Sequence, residues 1–131
     1  MTFKTTAIIT VIVSFLLGAG YLLFGELVMG RWQIPITDSV LLIGRRIGVL
    51  YLGLSVIFFL ARSAPVSVAR TALCAGTAIA LSVLALLGIY ELSAGHVGKG
   101  IVASIAIESL LAIAYIRILL IDRKQAAGSA T

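Results

Sequence analysis

The sequence predicts an all-α polytopic membrane protein, a four-transmembrane-helix bundle, and three observations carry that reading. Of 131 residues 61% are hydrophobic and only 11% charged, and the mean hydropathy is +1.19, far from the balance of a soluble domain. The apolar residues fall into four stretches, near 5–26, 39–61, 66–90 and 99–121, each close to the roughly 20 residues a helix needs to cross about 30 Å of hydrocarbon. None alternates as a strand does, and lipid offers backbone polar groups no partner, so the four spans read as helices. Residues 1–124 are then one transmembrane domain, and 125–131, "QAAGSAT", a flexible C-terminal tail.

The first span, "TTAIITVIVSFLLGAGYLLFGE", has a basic residue before it, as a secretory signal does, but its apolar core is too long and its cleavage pattern poor, which predicts a retained helix. The longest connection follows, "LVMGRWQIPITDS". Pro35 breaks helix there, and Thr37, Asp38 or Ser39 can cap the next one. Trp32 suits an interfacial anchor. Between spans two and three "ARSAPVSVAR" is short and basic, with Pro65 suited to the first turn of the third helix. "SAGHVGKG" joins spans three and four with glycine and no periodicity.

Composition also excludes function classes. The single cysteine, Cys74, can form no internal disulfide and belongs to no metal-ligand or CxxC set, so it reads as a small apolar helix residue. The net charge of +5 comes without a basic stripe interleaved with aromatics, and basic residues beside apolar spans report orientation and anionic lipid rather than nucleic acid. Lys4, Arg62, Arg70, Arg117, Arg123 and Lys124 fall on the side of both termini. Arg31 and Lys99 fall on the other side, joined by Arg45 and Arg46 when these are counted as outer. The excess predicts cytoplasmic termini in a multi-pass cell-membrane protein.

Arg45 and Arg46 are the unusual feature, because they interrupt "LLIGRRIGVLYLGL". A second helix that began after them would be about 15 residues and roughly 22 Å long, too short to span. Starting near Val40 gives roughly 33 Å and puts Arg45 about 10 Å along the helix from Asp38, within the outer leaflet. Two arginines at about 2.5–3.5 kcal/mol each then offset most of what roughly fourteen Leu, Ile, Val and Phe residues contribute at about 0.3–0.6 kcal/mol each. Such a span needs acceptors from its neighbours.

Glu108, about 14 Å along the fourth helix from Lys99, offers one at matching depth. Glu26 ends helix one and Glu91 ends helix three on the same side. Arg45 shares a face with Leu41, Gly48 and Leu52, and Gly44 with Gly48 forms a GxxxG suited to close helix approach. Glu108 shares its face with Ser104, Ala112 and Tyr115, a small and polar stripe suited to the interior, with Arg117 opposite and free to snorkel. The expectation is therefore an Arg45–Glu108 pair inside the bundle, with Glu26, Glu91 and Arg46 completing an outer rim. The four tyrosines, Tyr21, Tyr51, Tyr90 and Tyr115, read as packing and interface residues, and His96 as a solvated loop residue.

Residues 23–62 resemble the DoxX-like group of small four-helix membrane proteins and related bacterial families. The resemblance rests on Glu26, on Gly30 with Trp32, on "RRIGVLYLGL" from Arg45, and on "LAR" at 60–62. It covers about a third of the chain, and Gly25 stands where the group would have proline. It implies a bacterial inner-membrane location, and it makes Arg45, Gly48 and Gly53 family-type positions with Arg46 an addition. Some members are linked to sulfur and quinone oxidoreduction, a chemistry no motif in this sequence carries.

Three functions follow in order. First comes a non-catalytic accessory or structural subunit, in contact with the bilayer and with other membrane subunits or copies of itself, whose Arg/Glu cluster fixes the helix arrangement. Second is a binding or transport protein that takes a small anionic or quinone-like ligand into that cluster. Third is an oxidoreductase subunit; the sequence has no nucleophile–base pair, metal set, dinucleotide fingerprint or haem ligands, so no cofactor is expected.

Overall fold

The computed structural model describes residues 2–128. Helix α1 covers Phe3–Leu23 and starts at Thr2, whose hydroxyl accepts from the Thr5 N–H at 3.3 Å. A short helix α2, Gly25–Arg31, follows at once. Helix α3 covers Asp38–Ala61, α4 Val68–Ser93 and α5 Val102–Gly128, the last preceded by a single 3-10 turn, Lys99–Ile101. Four helices, α1, α3, α4 and α5 with its leading turn, are long and apolar enough to cross a membrane, and the chain is an all-α bundle.

The boundaries differ from expectation at three main points, the first two for a local reason. The first helix stops at Leu23 because Phe24 leaves helical geometry (φ −132°, ψ 37°). Its N–H still reaches the Gly20 carbonyl at 2.8 Å and its carbonyl accepts from Val28 at 3.1 Å, so the axis bends without losing hydrogen bonds. Glu26 therefore sits in the first turn of α2 rather than at the end of α1. Pro65 lies outside α4, because Ser67 provides a side-chain acceptor for the Arg70 N–H at 3.3 Å and so takes the cap. Helix α5 carries on to Gly128 where a tail had been expected from residue 125; the remaining tail residues, 129–131, lie outside the described residues. Thr37 caps α3 as foreseen, accepting from Val40 at 3.3 Å.

The helices associate as two close pairs, α1 with α3 and α4 with α5, and the pairs meet mainly through α1 and α5. Small residues make the pairing possible. A Cβ on Gly18 would lie 2.9 Å from the Gly48 carbonyl oxygen, and one on Gly48 would lie 2.9 Å from that of Gly18. The GxxxG glycines thus admit backbone-to-backbone contact, Gly48 against Gly18 and Gly44 against the Met29 side chain. Within the second pair Cys74, Ala78, Ala85 and Gly88 are the buried residues of α4, and a Cβ on Gly88 would come within 2.8 Å of Ile105.

The packed core is formed by Phe3, Ala7, Phe58, Cys74, Ala78, Tyr115 and Ile118, in the half of the bundle nearer the termini. Large apolar residues such as Leu50, Leu60 and Leu110 point outward, which suits lipid and not water.

The two ends tie the pairs together by different means. At the termini end Arg70 of α4, held within its own pair by Asp122 of α5 at 2.9 Å, reaches the other pair by donating to the Ala64 carbonyl at 3.1 Å and lying 4.4 Å over the Phe3 ring. At the opposite end the Gly98 N–H donates to the Trp32 carbonyl at 2.7 Å, joining the loop before α3 to the loop before α5.

Candidate functional site: a chamber in the half away from the termini

Above the packed core all four spanning helices diverge around a cavity of about 210 Å³. Its floor is polar. Thr10 lines it, with the buried Tyr115 beneath: their hydroxyl oxygens are 2.7 Å apart, and Thr10 donates a hydrogen bond to the Thr6 carbonyl at 3.0 Å, so Tyr115 donates to Thr10. Thr10, Ser14 and Tyr21 reach the chamber from α1 because they belong to one stripe of that helix, in which Phe3, Ala7, Thr10, Ser14, Gly18 and Tyr21 are all buried at helical spacing. Tyr51 enters from α3, Thr77 from α4, and Ser104 and Glu108 from α5.

Three aromatic rings line the outer part. Tyr21 and Tyr51 lie parallel, 6.2 Å between centroids, and Trp32 meets Tyr21 edge-on at 6.5 Å. Trp32 is held by the loop-to-loop bond from Gly98 and by its own N–H to Met29 at 3.1 Å. It lines the cavity, a more specific position than that of an interfacial anchor.

Among the described residues Glu108 is the one charged residue on this wall. Among the described residues its carboxylate has neither an ion-pair nor a hydrogen-bond partner. The pairing expected from depth alone is overturned: Arg45 is exposed and opens into a separate groove that it shares with Glu26, Leu41 and Ile36 at the α1–α2 bend. The cause is the glycine crossing, which packs α3 on α1, so that the Arg45 side of α3 faces the bend and not α5. Matching depth on two helices does not make them neighbours.

The remaining rim residues also separate. Arg46 is exposed, and among the described residues it enters no ion pair. Glu91 pairs locally, its Oε2 2.7 Å from Nδ1 of His96, whose N–H also reaches the Glu91 carbonyl at 3.0 Å. His96 is an exposed loop residue, as expected, and adds these two contacts just past the end of α4. Glu26 is exposed beside the Arg45 groove.

Sequence reasoning missed the ion pair that does cross the helices, Arg70–Asp122. Part of its signal was present: Arg70 lies within the first turn of α4 and Asp122 near the termini end of α5, on helices joined by a short loop. Tyr21, Tyr51 and Trp32 were read singly, and nothing in their spacing shows that a bend after Leu23 brings them together. Among the described residues no group of three His, Cys, Asp or Glu is placed to hold a metal ion. Comparison with family models, with curated proteins and with solved structures found no match.

Proposed function

We propose that the protein is a membrane binding protein that takes a small, largely apolar ligand into the chamber between its helix pairs. The observation that carries this reading is Glu108: a carboxylate facing a cavity built by all four spans, with no protein partner among the described residues. An acidic group held inside a membrane is costly and marks a site by default. A cavity larger than the roughly 150 Å³ that admits benzene has room for a ligand of about ten non-hydrogen atoms. The anionic ligand suggested by the sequence depended on Arg45 reaching the chamber, and it loses that support.

The termini are assigned to the cytoplasmic side on the charge excess, which puts the chamber in the outer leaflet of the cell membrane. A bacterial inner membrane and a place near the DoxX-like group rest on the resemblance of residues 23–62. A second reading, an accessory subunit, has one observation behind it. Arg45 and Arg46 are exposed in the outer half of α3, where a carboxylate of another subunit would neutralise them.

Trp32 is the only tryptophan and lines the cavity, so its emission reports occupancy directly. In phosphatidylcholine nanodiscs, at least one of benzyltrimethylammonium, neopentylbenzene and benzylsulfonate is expected to change that emission saturably. Thr77→Phe, which fills the chamber from α4, should abolish the response. Failure of all three probes, or an unchanged response in Thr77→Phe, removes the reading.

A further inference from the structure

We infer that the chamber selects lipophilic organic cations, a substituted amine or quaternary ammonium carrying a compact apolar group. This rests on the chamber being a binding site and adds the chemistry of its ligand. Among the described residues the wall carries a single acidic group, the Glu108 carboxylate, and no Lys, Arg or His. Its aromatic residues, Tyr21, Tyr51 and Trp32, form one connected group at the outer end. Aromatic faces attract cations through their quadrupole, most strongly where water is excluded, and they do nothing comparable for a neutral group and repel an anion.

Glu108 and the rings line one cavity, so both features bear on a ligand held there. A carboxylate with no protein partner favours a positive centre by charge, and the rings favour one whose charge is spread over alkyl groups and needs no hydrogen-bond acceptor. Besides the hydroxyls of Thr10, Ser14, Thr77 and Ser104, the rest of the wall is aliphatic, with Val13, Leu17, Leu54, Leu81 and Leu111 reaching it from α1, α3, α4 and α5. That surface accepts the apolar group of the ligand.

Benzyltrimethylammonium and neopentylbenzene test this cleanly, since they differ in one atom, nitrogen for carbon, and in charge. Titrations follow Trp32 emission in zwitterionic phosphatidylcholine nanodiscs, with benzylsulfonate as the anionic counterpart. The cation is expected to bind at least about tenfold more tightly than its neutral isostere, and the anion more weakly than either. Glu108→Gln should lower cation affinity at least about tenfold and leave neopentylbenzene within about twofold. Tyr51→Leu should weaken the cation several-fold, and Tyr51→Phe should preserve it.

Equal or tighter binding of the neutral or anionic probe to the unaltered protein overturns the cation assignment while the chamber stands as a binding site. Saturable binding by no probe overturns both. The comparison among probes uses the unaltered chain, so a variant that fails to fold does not blunt the test.

Discussion

Replacing Asp122 or Arg70 singly and together tests whether one ion pair holds the termini end of the bundle closed. The partners are 2.9 Å apart with side chains 15% and 8% exposed. At an effective dielectric constant near 20, opposite unit charges at that distance attract by about 6 kcal/mol. Desolvation offsets several kcal/mol of this, and Arg70 Nε and Asp122 Oδ2 find no protein partner, which keeps the net well below the gross figure. Removing either partner alone strands the other, and Asp122→Leu or Arg70→Leu is expected to cost about 3–5 kcal/mol. The double replacement should recover most of that, so that the coupling energy is at least about 2 kcal/mol. It should stay short of full recovery, because the Arg70 bond to Ala64, a bond from a charged donor worth about 1.5 kcal/mol or more, is also lost. Unfolding in mild-detergent micelles titrated with dodecyl sulfate and followed by Trp32 emission gives all four corners of the cycle. Additive costs in the double variant would show that the pair does not act as a unit and would refute the reasoning.

Arg45→Leu should change unfolding free energy by less than about 0.5 kcal/mol, as for an exposed site, and a cycle with Glu108→Gln should show coupling indistinguishable from zero. A coupling above about 1 kcal/mol would restore the rejected pair. Gly48→Ala, whose Cβ would sit 2.9 Å from the Gly18 oxygen, should cost about 1–3 kcal/mol by forcing α1 and α3 apart. Gly53→Ala meets nothing within 4 Å and should stabilise by about 0.5–1 kcal/mol through helix propensity, so equal effects at the two glycines would discount the crossing. For topology, in a Cys74→Ala background Ser93→Cys should react with an impermeant maleimide on intact cells, and Ser63→Cys only after permeabilisation; the reverse pattern would invert the orientation.

The parts of the fold legible in the sequence are those that depend on one helix at a time. The four spans follow from length and apolarity, the α3 cap from Thr37 before an apolar run, and the interior face of α5 from Ser104, Ala112 and Tyr115. Gly44 and Gly48 announced a close approach, though not that Gly18 would be its other half. What stayed hidden depends on which helices are neighbours. Arg45 and Glu108 match in depth, but α3 packs on α1, and no feature of either residue reveals that. The bend at Phe24 is set by one residue leaving helical geometry, a difference of a few kcal/mol at most, and apolar periodicity does not register it. The chamber follows from both. The bend and the cross-loop bond from Gly98 bring Trp32 over Tyr21, and three aromatics far apart in sequence become one wall.

The chamber also has an energetic side that bears on its purpose. Filling the roughly 210 Å³ with side-chain atoms would contribute at most on the order of 5 kcal/mol at about 24 cal/mol per Å³, the coefficient for a closed, dry cavity, and less here because the chamber is partly open. Simple substitutions would recover part of it, since Ser14, Thr77 and Ser104 are small residues on the wall. A chain under selection for stability alone has an easy route to closing such a space, and its small polar wall residues are the kind of stability cost that active sites carry. Thr77→Phe separates the two demands. If the space is kept for a ligand, the variant should unfold at higher dodecyl sulfate than the unaltered protein and yet lose the Trp32 response to every probe. A variant that loses the response while unfolding earlier would mean that the cavity does not tolerate filling, and the argument from forgone packing would fail with it.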